Sequence, residues 1–80
     1  NSFTRPMARE MQAALRRAGE NEAIRVVVIT GAGRGFCAGQ DLSEALPADG
    51  EPMPDISEIV RDSYNPIIRA IRTLEKPVIC

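Results

Sequence analysis

Histidine and tryptophan are absent from this 80-residue chain, and aromatic residues make up only 4% of it. Without histidine, the chain alone cannot build a Ser-His or Cys-His nucleophile pair. Its two cysteines, Cys37 and Cys80, are too few for a disulfide framework and too isolated for a zinc site. We therefore expect reduced cysteines that act as small apolar groups, no metal centre, and chemistry that needs no histidine.

The chain also lacks an excess of charge of either sign and lacks long apolar runs. Ten basic and eleven acidic side chains give a net charge of -1 without a basic tract, so nucleic acid and membranes are not expected as partners. No apolar run approaches the roughly 20 residues of a membrane span, and no signal peptide is visible. This composition is typical of a cytoplasmic protein. Because the chain begins at Asn1 and stops on an apolar strand, we expect a piece of a larger protein, truncated at both ends.

Apolar residues at helical spacing predict the first element. Met7, Met11 and Leu15 recur at every fourth position, which is typical of an amphipathic helix that packs one face on a core. Thr4 is the expected N-cap, with a proline in the first turn, and Gly19 is the expected residue just after the last turn.

A second helix is predicted over residues 55–74, where the same period returns. Pro66 removes the hydrogen bond to the carbonyl of Asp62, so we expect a kink there. Tyr64 is predicted to be a half-buried packing residue. Residues 45–54 contain three prolines and a glycine. They are predicted to form a mobile surface loop, either a plain connector or a lid beside a site.

The central stretch of the chain is an apolar run followed by glycines. Residues 25–30 are mostly β-branched, which predicts a strand buried on both faces. Four glycines follow within nine residues: Gly31, Gly33, Gly35 and Gly39. A helix is expected to begin at Gln40. Helix, strand, glycine turn and helix form an α/β pattern, which places ligands at the carboxyl end of the strand.

Three interpretations of the glycine turn stay open from the residues alone. The run from Gly33 to Ala38 fits the dinucleotide pattern G-x-G-x-x-G/A, but a long helix precedes it and no second strand ending in an acid follows. Alternatively, a backbone N–H near Ala38 faces developing negative charge at the start of a helix. In the third interpretation, the turn is purely structural.

A family resemblance rests on four segments: Asn1–Phe3, Ile24–Ile29, Thr30–Leu42 and Lys76–Ile79. In this order and at this spacing, they resemble the signature of the enoyl-CoA hydratase/isomerase (crotonase) superfamily, and the resemblance covers the whole chain. It implies an α/β fold, a crotonase (ClpP-like) spiral of ββα units, of which residues 1–80 form the N-terminal part of a single domain. It also implies assembly into a homotrimer or hexamer.

The same resemblance implies an acyl-CoA thioester as substrate, with coenzyme A as part of that substrate and no separate cofactor. Two backbone N–H groups then bind the thioester oxygen and stabilise an enolate. The first donor is expected at Ala38, whose amide should be free of intramolecular bonds and aimed into a cleft. The residues expected to line the acyl-CoA site are Phe36, Ala38, Gly39, Gln40, Asp41 and Leu42. For Asp41, capping of the next helix is an alternative role.

Within the superfamily, Cys37–Leu42 and Tyr64–Ile68 resemble the subfamily that isomerises 2-(1,2-epoxy-1,2-dihydrophenyl)acetyl-CoA in phenylacetate degradation. An enoyl-CoA hydratase of β-oxidation and a non-catalytic acyl-CoA-binding paralogue are the alternatives. The second donor and the acid/base carboxylates of the family follow the Lys-Pro-Val-Ile strand, so we expect them beyond Cys80. The acids predicted to be solvated loop or cap residues are Glu44, Asp49, Glu51 and Asp55.

Overall fold

A computed structural model describes residues 1–47 and 50–80 of the chain. Its strands are β1 (Ser2–Phe3), β2 (Val27–Val28), β3 (Gly39–Gln40) and β4 (Val78–Ile79). Its helices are α1 (Arg5–Glu20), α2 (Leu42–Ala45), α3 (Ile56–Ile59) and α4 (Asn65–Thr73). A π-helical turn, Val60–Tyr64, joins α3 to α4.

The four strands form two parallel pairs. β1 pairs with β3, and β2 pairs with β4, so that Phe3 lies opposite Gln40 and Val28 opposite Ile79. Parallel neighbours need a long crossover connection. Each pair here has at least one helix between its strands, since α1 follows β1 and the segment α3–α4 precedes β4. The predicted α/β class is confirmed, although the strands are shorter than the apolar runs suggested.

Helix α1 begins as predicted and ends later than predicted. The Thr4 hydroxyl accepts a hydrogen bond from the Met7 amide at 3.2 Å, and a proline occupies the first turn. The predicted end at Gly19 is wrong, because the helix continues through Glu20. A Cβ added at Gly19 would lie 3.0 Å from Leu74 Cδ1. This glycine therefore permits close packing inside the helix rather than ending it.

The second helical segment breaks near its proline, and the break is a π-helical turn. The Asn65 amide donates to the carbonyl of Val60, five residues back. Pro66 then falls in the first turn of α4, where its missing N–H costs little. Pro66 has no N–H to donate to the Asp62 carbonyl, which instead accepts a hydrogen bond from Gln12 Nε2 at 3.1 Å. The expected kink is thus observed as a π turn. The Asp62 carbonyl, left without a donor in its own helix, is hydrogen-bonded by Gln12 of α1.

The apolar core lies between α1 and the second helical segment. Ala8, Leu15 and Ile67 form its centre, each no more than 4% exposed. The strands lie outside it: Val28 is 65% exposed and Ile79 is 56% exposed. The prediction of a strand buried on both faces is wrong for these residues, because β2 has β4 as its sheet neighbour and helix packing covers only part of the pair.

The described residues form an elongated body. Its radius of gyration is 14.6 Å and its extents are 50 × 28 × 16 Å, whereas a compact domain of this length has a radius of gyration of about 12 Å. None of the described helices is both long and apolar enough to cross a membrane.

The predicted loop over residues 45–54 is described only in part. Ala45 is the last residue of α2, and residues 50–54 contain neither helix nor strand. Ala48 and Asp49 lie outside the described residues. The mobility of this loop and its role as a lid therefore stay predictions, as does a solvated Asp49.

Candidate functional site

The glycine bend between β2 and β3 folds tightly on itself. A Cβ built on Gly31 would lie 2.3 Å from the carbonyl oxygen of Phe36 and 2.4 Å from that of Gly35. Such distances exclude any side chain, so this position requires glycine for close backbone approach. Gly33 has φ 74°, in the left-handed region, with open space where its side chain would be. The bend is thus defined by main-chain geometry.

Asn1 closes this bend with its side chain. Its Nδ2 donates to the carbonyl of Ala32 at 2.8 Å and to that of Gly35 at 2.9 Å, with a longer contact to that of Phe36 at 3.5 Å. One amide group therefore ties together both arms of the turn. The residues alone did not reveal this role, since Asn1 lies more than thirty positions away in sequence.

The structure contradicts the expectation of a free amide at Ala38. The Ala38 N–H donates to the main-chain carbonyl of Asn1 at 2.6 Å. The chain then turns at Gly39, which has φ 103°, and the Gly39 amide contacts Cys37 Sγ at 3.4 Å. Because the Ala38 N–H already has a partner, it is not available as a preformed donor to an oxyanion.

The amides that follow Ala38 along β3 point to different sides of the segment. The Asp41 N–H donates to the Phe3 carbonyl at 2.8 Å, so it points toward β1. Successive amides of an extended segment point to opposite sides, and Asp41 is extended with φ -64° and ψ 119°. The Gln40 N–H therefore points away from β1. The helix predicted to begin at Gln40 starts instead at Leu42, because residues 39 and 40 pair with β1.

Asp41 has the alternative role, that of a helix cap. Its carboxylate accepts from the Ser43 amide at 2.8 Å and from the Ser43 hydroxyl at 2.6 Å. These two bonds lower the pKa of the Asp41 carboxyl from its usual value. Glu44, one turn on, accepts from the Arg5 amide at 2.8 Å and so joins α2 to the start of α1. Asp55 caps α3 in the same way through Ser57, so the cap predictions for Glu44 and Asp55 are confirmed.

Tyr64 reaches the site from the π turn. Its hydroxyl donates to Gln40 Oε1, and its ring packs on Phe3 with centroids 5.1 Å apart. Burial, with additional effects of the Cys37 and Glu44 charges, raises the pKa of the Tyr64 phenol. The predicted half-buried packing role is confirmed, but the hydrogen bond to Gln40 was not predicted.

Within the described part of the chain, one predicted residue of the acyl-CoA site lies on an apolar groove beside α1. Phe36 and Cys37 line an apolar groove of about 500 Å³ beside Met7 and Met11 of α1. Phe36 is 54% exposed there. The six residues predicted for acyl-CoA binding therefore divide into Phe36 on this groove and residues 38–42 along β3 and the start of α2.

Both cysteines are free and exposed. Their expected role as small apolar groups stays a prediction. Among the residues that the structure describes, no cluster of three or more histidine, cysteine, aspartate or glutamate side chains is placed to hold a metal ion.

Comparison with known proteins gives one consistent result. A family model described as enoyl-CoA hydratase/isomerase matches residues 1–80. The 1,2-epoxyphenylacetyl-CoA isomerase of Escherichia coli is 42% identical over 80 residues, which is all of this chain and 30% of that protein. The chain therefore spans about a third of the length of this curated relative.

Solved structures agree with the sequence comparison. The enoyl-CoA hydratase of Mycobacterium smegmatis superposes with a TM-score of 0.76 at 30% identity, covering 96% of this chain and 29% of that one. A Mycobacterium abscessus protein assigned to the enoyl-CoA hydratase/isomerase class superposes with a TM-score of 0.79 at 39% identity, covering 96% of this chain and 30% of that one.

Proposed function

The chain belongs to the enoyl-CoA hydratase/isomerase family, with the crotonase fold predicted from its sequence, and we propose that it forms the N-terminal part of an acyl-CoA isomerase or hydratase. The match of residues 1–80 to the family model carries this proposal. Since the relatives are about three times as long, the activity proposed is that of the whole protein.

The proposed chemistry begins with removal of a proton from the carbon next to a thioester. Negative charge then accumulates on the thioester oxygen, and backbone N–H groups aimed at that position stabilise it. We assign the donor in this chain to the Gln40 amide, because the Ala38 amide is bonded to Asn1 and the Gln40 amide points away from β1. Loss of one such donor typically slows turnover by about 100-fold or more.

The acyl-CoA thioester is proposed to lie along residues 38–42, with Phe36 nearby. Open main-chain geometry at Gly39, where the structure leaves space around the missing side chain, supports close approach of a ligand to this segment. Coenzyme A enters as part of the substrate, so the proposal requires no separate cofactor. The acid/base carboxylates are proposed to come from the part of the protein that follows residue 80.

The finer proposal is isomerisation of a ring-epoxide phenylacetyl-CoA. It is supported by the identity of 42% to the E. coli 1,2-epoxyphenylacetyl-CoA isomerase across the entire chain. Hydration of an enoyl-CoA is the second candidate, supported by the similarity to the M. smegmatis enoyl-CoA hydratase. Hydration needs two carboxylates around a water, whereas isomerisation needs only one proton-transferring group.

Assembly into a homotrimer or hexamer and a cytoplasmic location belong to the same proposal. The exposed apolar side chains of β2 and β4, among them Val28 and Ile79, support further burial in a larger assembly or a longer chain, since such surface is costly in water.

Turnover by the whole protein distinguishes these candidates. It is to be incubated separately with 2-(1,2-epoxy-1,2-dihydrophenyl)acetyl-CoA and with 2-butenoyl-CoA, and the products identified by mass spectrometry. We expect a product of unchanged mass from the epoxide. A product heavier by one water from 2-butenoyl-CoA alone would favour the hydratase. Binding of both thioesters without any product would favour a non-catalytic acyl-CoA-binding protein.

A further inference from the structure

Residues 38–44 are joined to the first five residues of the chain by hydrogen bonds that follow one another along both segments. Main-chain carbonyls of β1 and the residue before it accept from the amides of Ala38 and Asp41. Further along, the direction is reversed and a side chain takes part, because Glu44 Oε1 accepts from the Arg5 amide at 2.8 Å. Glu44 therefore continues on α2 the join that strand pairing makes along β3.

Strand pairing cannot supply the link at Arg5, because α1 begins there. The N–H groups in the first turn of a helix have no acceptor within their own helix. The Thr4 hydroxyl satisfies that of Met7, and the Glu44 carboxylate satisfies that of Arg5. A carboxylate in this place also gains from the helix dipole, and its hydrogen bond is stronger than one to a neutral acceptor.

The chain contains a close match to the local sequence around Glu44. Asp-Leu-Ser-Glu ends at Glu44 in α2, and Asp-Ile-Ser-Glu ends at Glu58 in α3. In both, the aspartate, Asp41 or Asp55, accepts from the amide and the hydroxyl of the serine two positions on. The two glutamates meet different partners, since Glu58 lies 3.9 Å from the exposed Arg61 of its own helical segment. The local pattern therefore does not decide the role of Glu44, whereas its contact with α1 does.

Helix α2 has little else to hold it in place. It has four residues, none of them buried, whereas an isolated helix of fewer than roughly 12 residues is not stable in water. The Asp41 amide fixes the start of α2 on the Phe3 carbonyl, and Glu44 fixes its rotation about that point. Leu42, which is expected to line the acyl-CoA site, is the first residue of α2, so its place depends on both contacts.

We propose that Glu44 is a positioning residue for thioester binding, which keeps Leu42 and the start of α2 against the acyl-CoA by anchoring α2 on the first N–H of α1. This inference rests on the proposed function, in which the thioester lies along residues 38–42. Glu44 acts through α2 and not on the reacting atoms. Contacts made by Leu42 are the same in the bound substrate and in the transition state, so loss of the anchor weakens binding more than it slows the chemical step.

The test is Glu44→Ala in the whole protein, measured with whichever of the two thioesters above the wild type turns over. We expect KM to rise about tenfold and kcat to fall less than about threefold. Hydrogen exchange followed by mass spectrometry should show the amides of residues 42–46 exchanging at least about tenfold faster, while those of α1 keep the wild-type rate. Glu58→Ala is the matched control, because it removes a glutamate from the same local pattern, and it should change neither property.

Glu44→Gln separates anchoring from folding, because it keeps an acceptor for the Arg5 amide and loses only the charge. Its rise in KM should be smaller than that of Glu44→Ala, and unfolding curves identify any variant that does not fold. Should Glu44→Ala fail to fold, Glu44→Gln carries the same comparison with Glu58→Gln.

Three results would overturn the inference and leave the proposed function intact: unchanged exchange of residues 42–46, equally fast exchange in the Glu58 control, or a loss confined to kcat. A folded wild type that turns over neither thioester would instead overturn the proposed function, and with it the role of Glu44 in binding.

Discussion

The packed helices and the glycine bend keep their shapes by different means. Between α1 and the second helical segment, apolar side chains such as Leu15 and Ile67 are almost fully buried. In the bend, the contacts are hydrogen bonds to main-chain carbonyls and amides, made above all by Asn1. The shape of the helical region therefore depends on the volume of its buried side chains. The shape of the bend depends on the direction of individual N–H and C=O groups.

This difference separates stability from function. Loss of a buried side chain should lower the free energy of unfolding and leave the chemistry of each folded molecule intact. A change in the bend should reorient the Gln40 amide and alter turnover even where unfolding changes little. Substitutions in each region test that separation.

Gly31→Ala should lower both the stability of the fold and the rate of turnover. The added Cβ would lie 2.3 Å from the Phe36 carbonyl oxygen, so the bend must open to accommodate it. We expect the free energy of unfolding to fall by about 3 kcal/mol and kcat to fall about 100-fold in the whole protein. Chemical denaturation and steady-state kinetics measure the two. Gly35→Ala is the matched control, since a Cβ there meets no atom within 4 Å; an equal loss in both variants would contradict the account.

Leu15→Ala should affect stability alone. Leu15 is 4% exposed, and truncating such a residue leaves a cavity that costs about 3 kcal/mol. Denaturation of the whole protein measures this loss, and kcat per folded molecule should stay at the wild-type value. Arg16→Ala, at the exposed neighbouring position, should change neither property. A fall in kcat for Leu15→Ala at saturating substrate would show that the two regions are not separable.

Asn1→Asp should destabilise the bend less than Gly31→Ala does. An oxygen would replace the Nδ2 donor and face the carbonyls of Ala32 and Gly35. The expected cost is about 1 kcal/mol, with a several-fold fall in kcat as the bend loosens. Asn21→Asp is the control with the same charge change, because Asn21 uses its side-chain oxygen as an acceptor from Ala23. Indistinguishable kinetics for the two variants would show that turnover does not depend on the Asn1 hydrogen bonds to the bend.

The smallest effect concerns pH. The raised pKa of Tyr64 means that the folded state holds the phenol proton more tightly than the unfolded state. As the pH rises above the usual tyrosine value of 10.0, the unfolded state loses that proton first and gains stability. The stability of the wild type should therefore fall in that range more steeply than that of Tyr64→Phe. Parallel pH profiles of unfolding would contradict the buried, hydrogen-bonded phenol.

The same contrast explains what the sequence could predict. Side-chain periodicity predicted both helical segments, and Thr4 and Pro66 marked a start and a break, because these signals are local. Gly19 was misread as a helix end, since its role depends on Leu74 far along the chain. Position alone cannot distinguish a glycine that ends a helix from one that permits close packing.

The hydrogen-bond partners of the amides after the glycine turn could not be predicted from the motif alone. Which N–H faces β1 depends on pairing with that strand, which has only two residues and no strong sequence signal. That pairing occupies the Ala38 amide and turns the Gln40 amide away. Tyr64 and Asn1 act from distant positions, so only the fold brings them to the site.

A crystal structure of the whole protein with a bound acyl-CoA thioester tests the central claim most directly. We expect the thioester oxygen about 3 Å from the Gln40 nitrogen, with the Ala38–Asn1 hydrogen bond intact. A thioester oxygen bound at the Ala38 nitrogen, or placed far from residues 38–42, would contradict it.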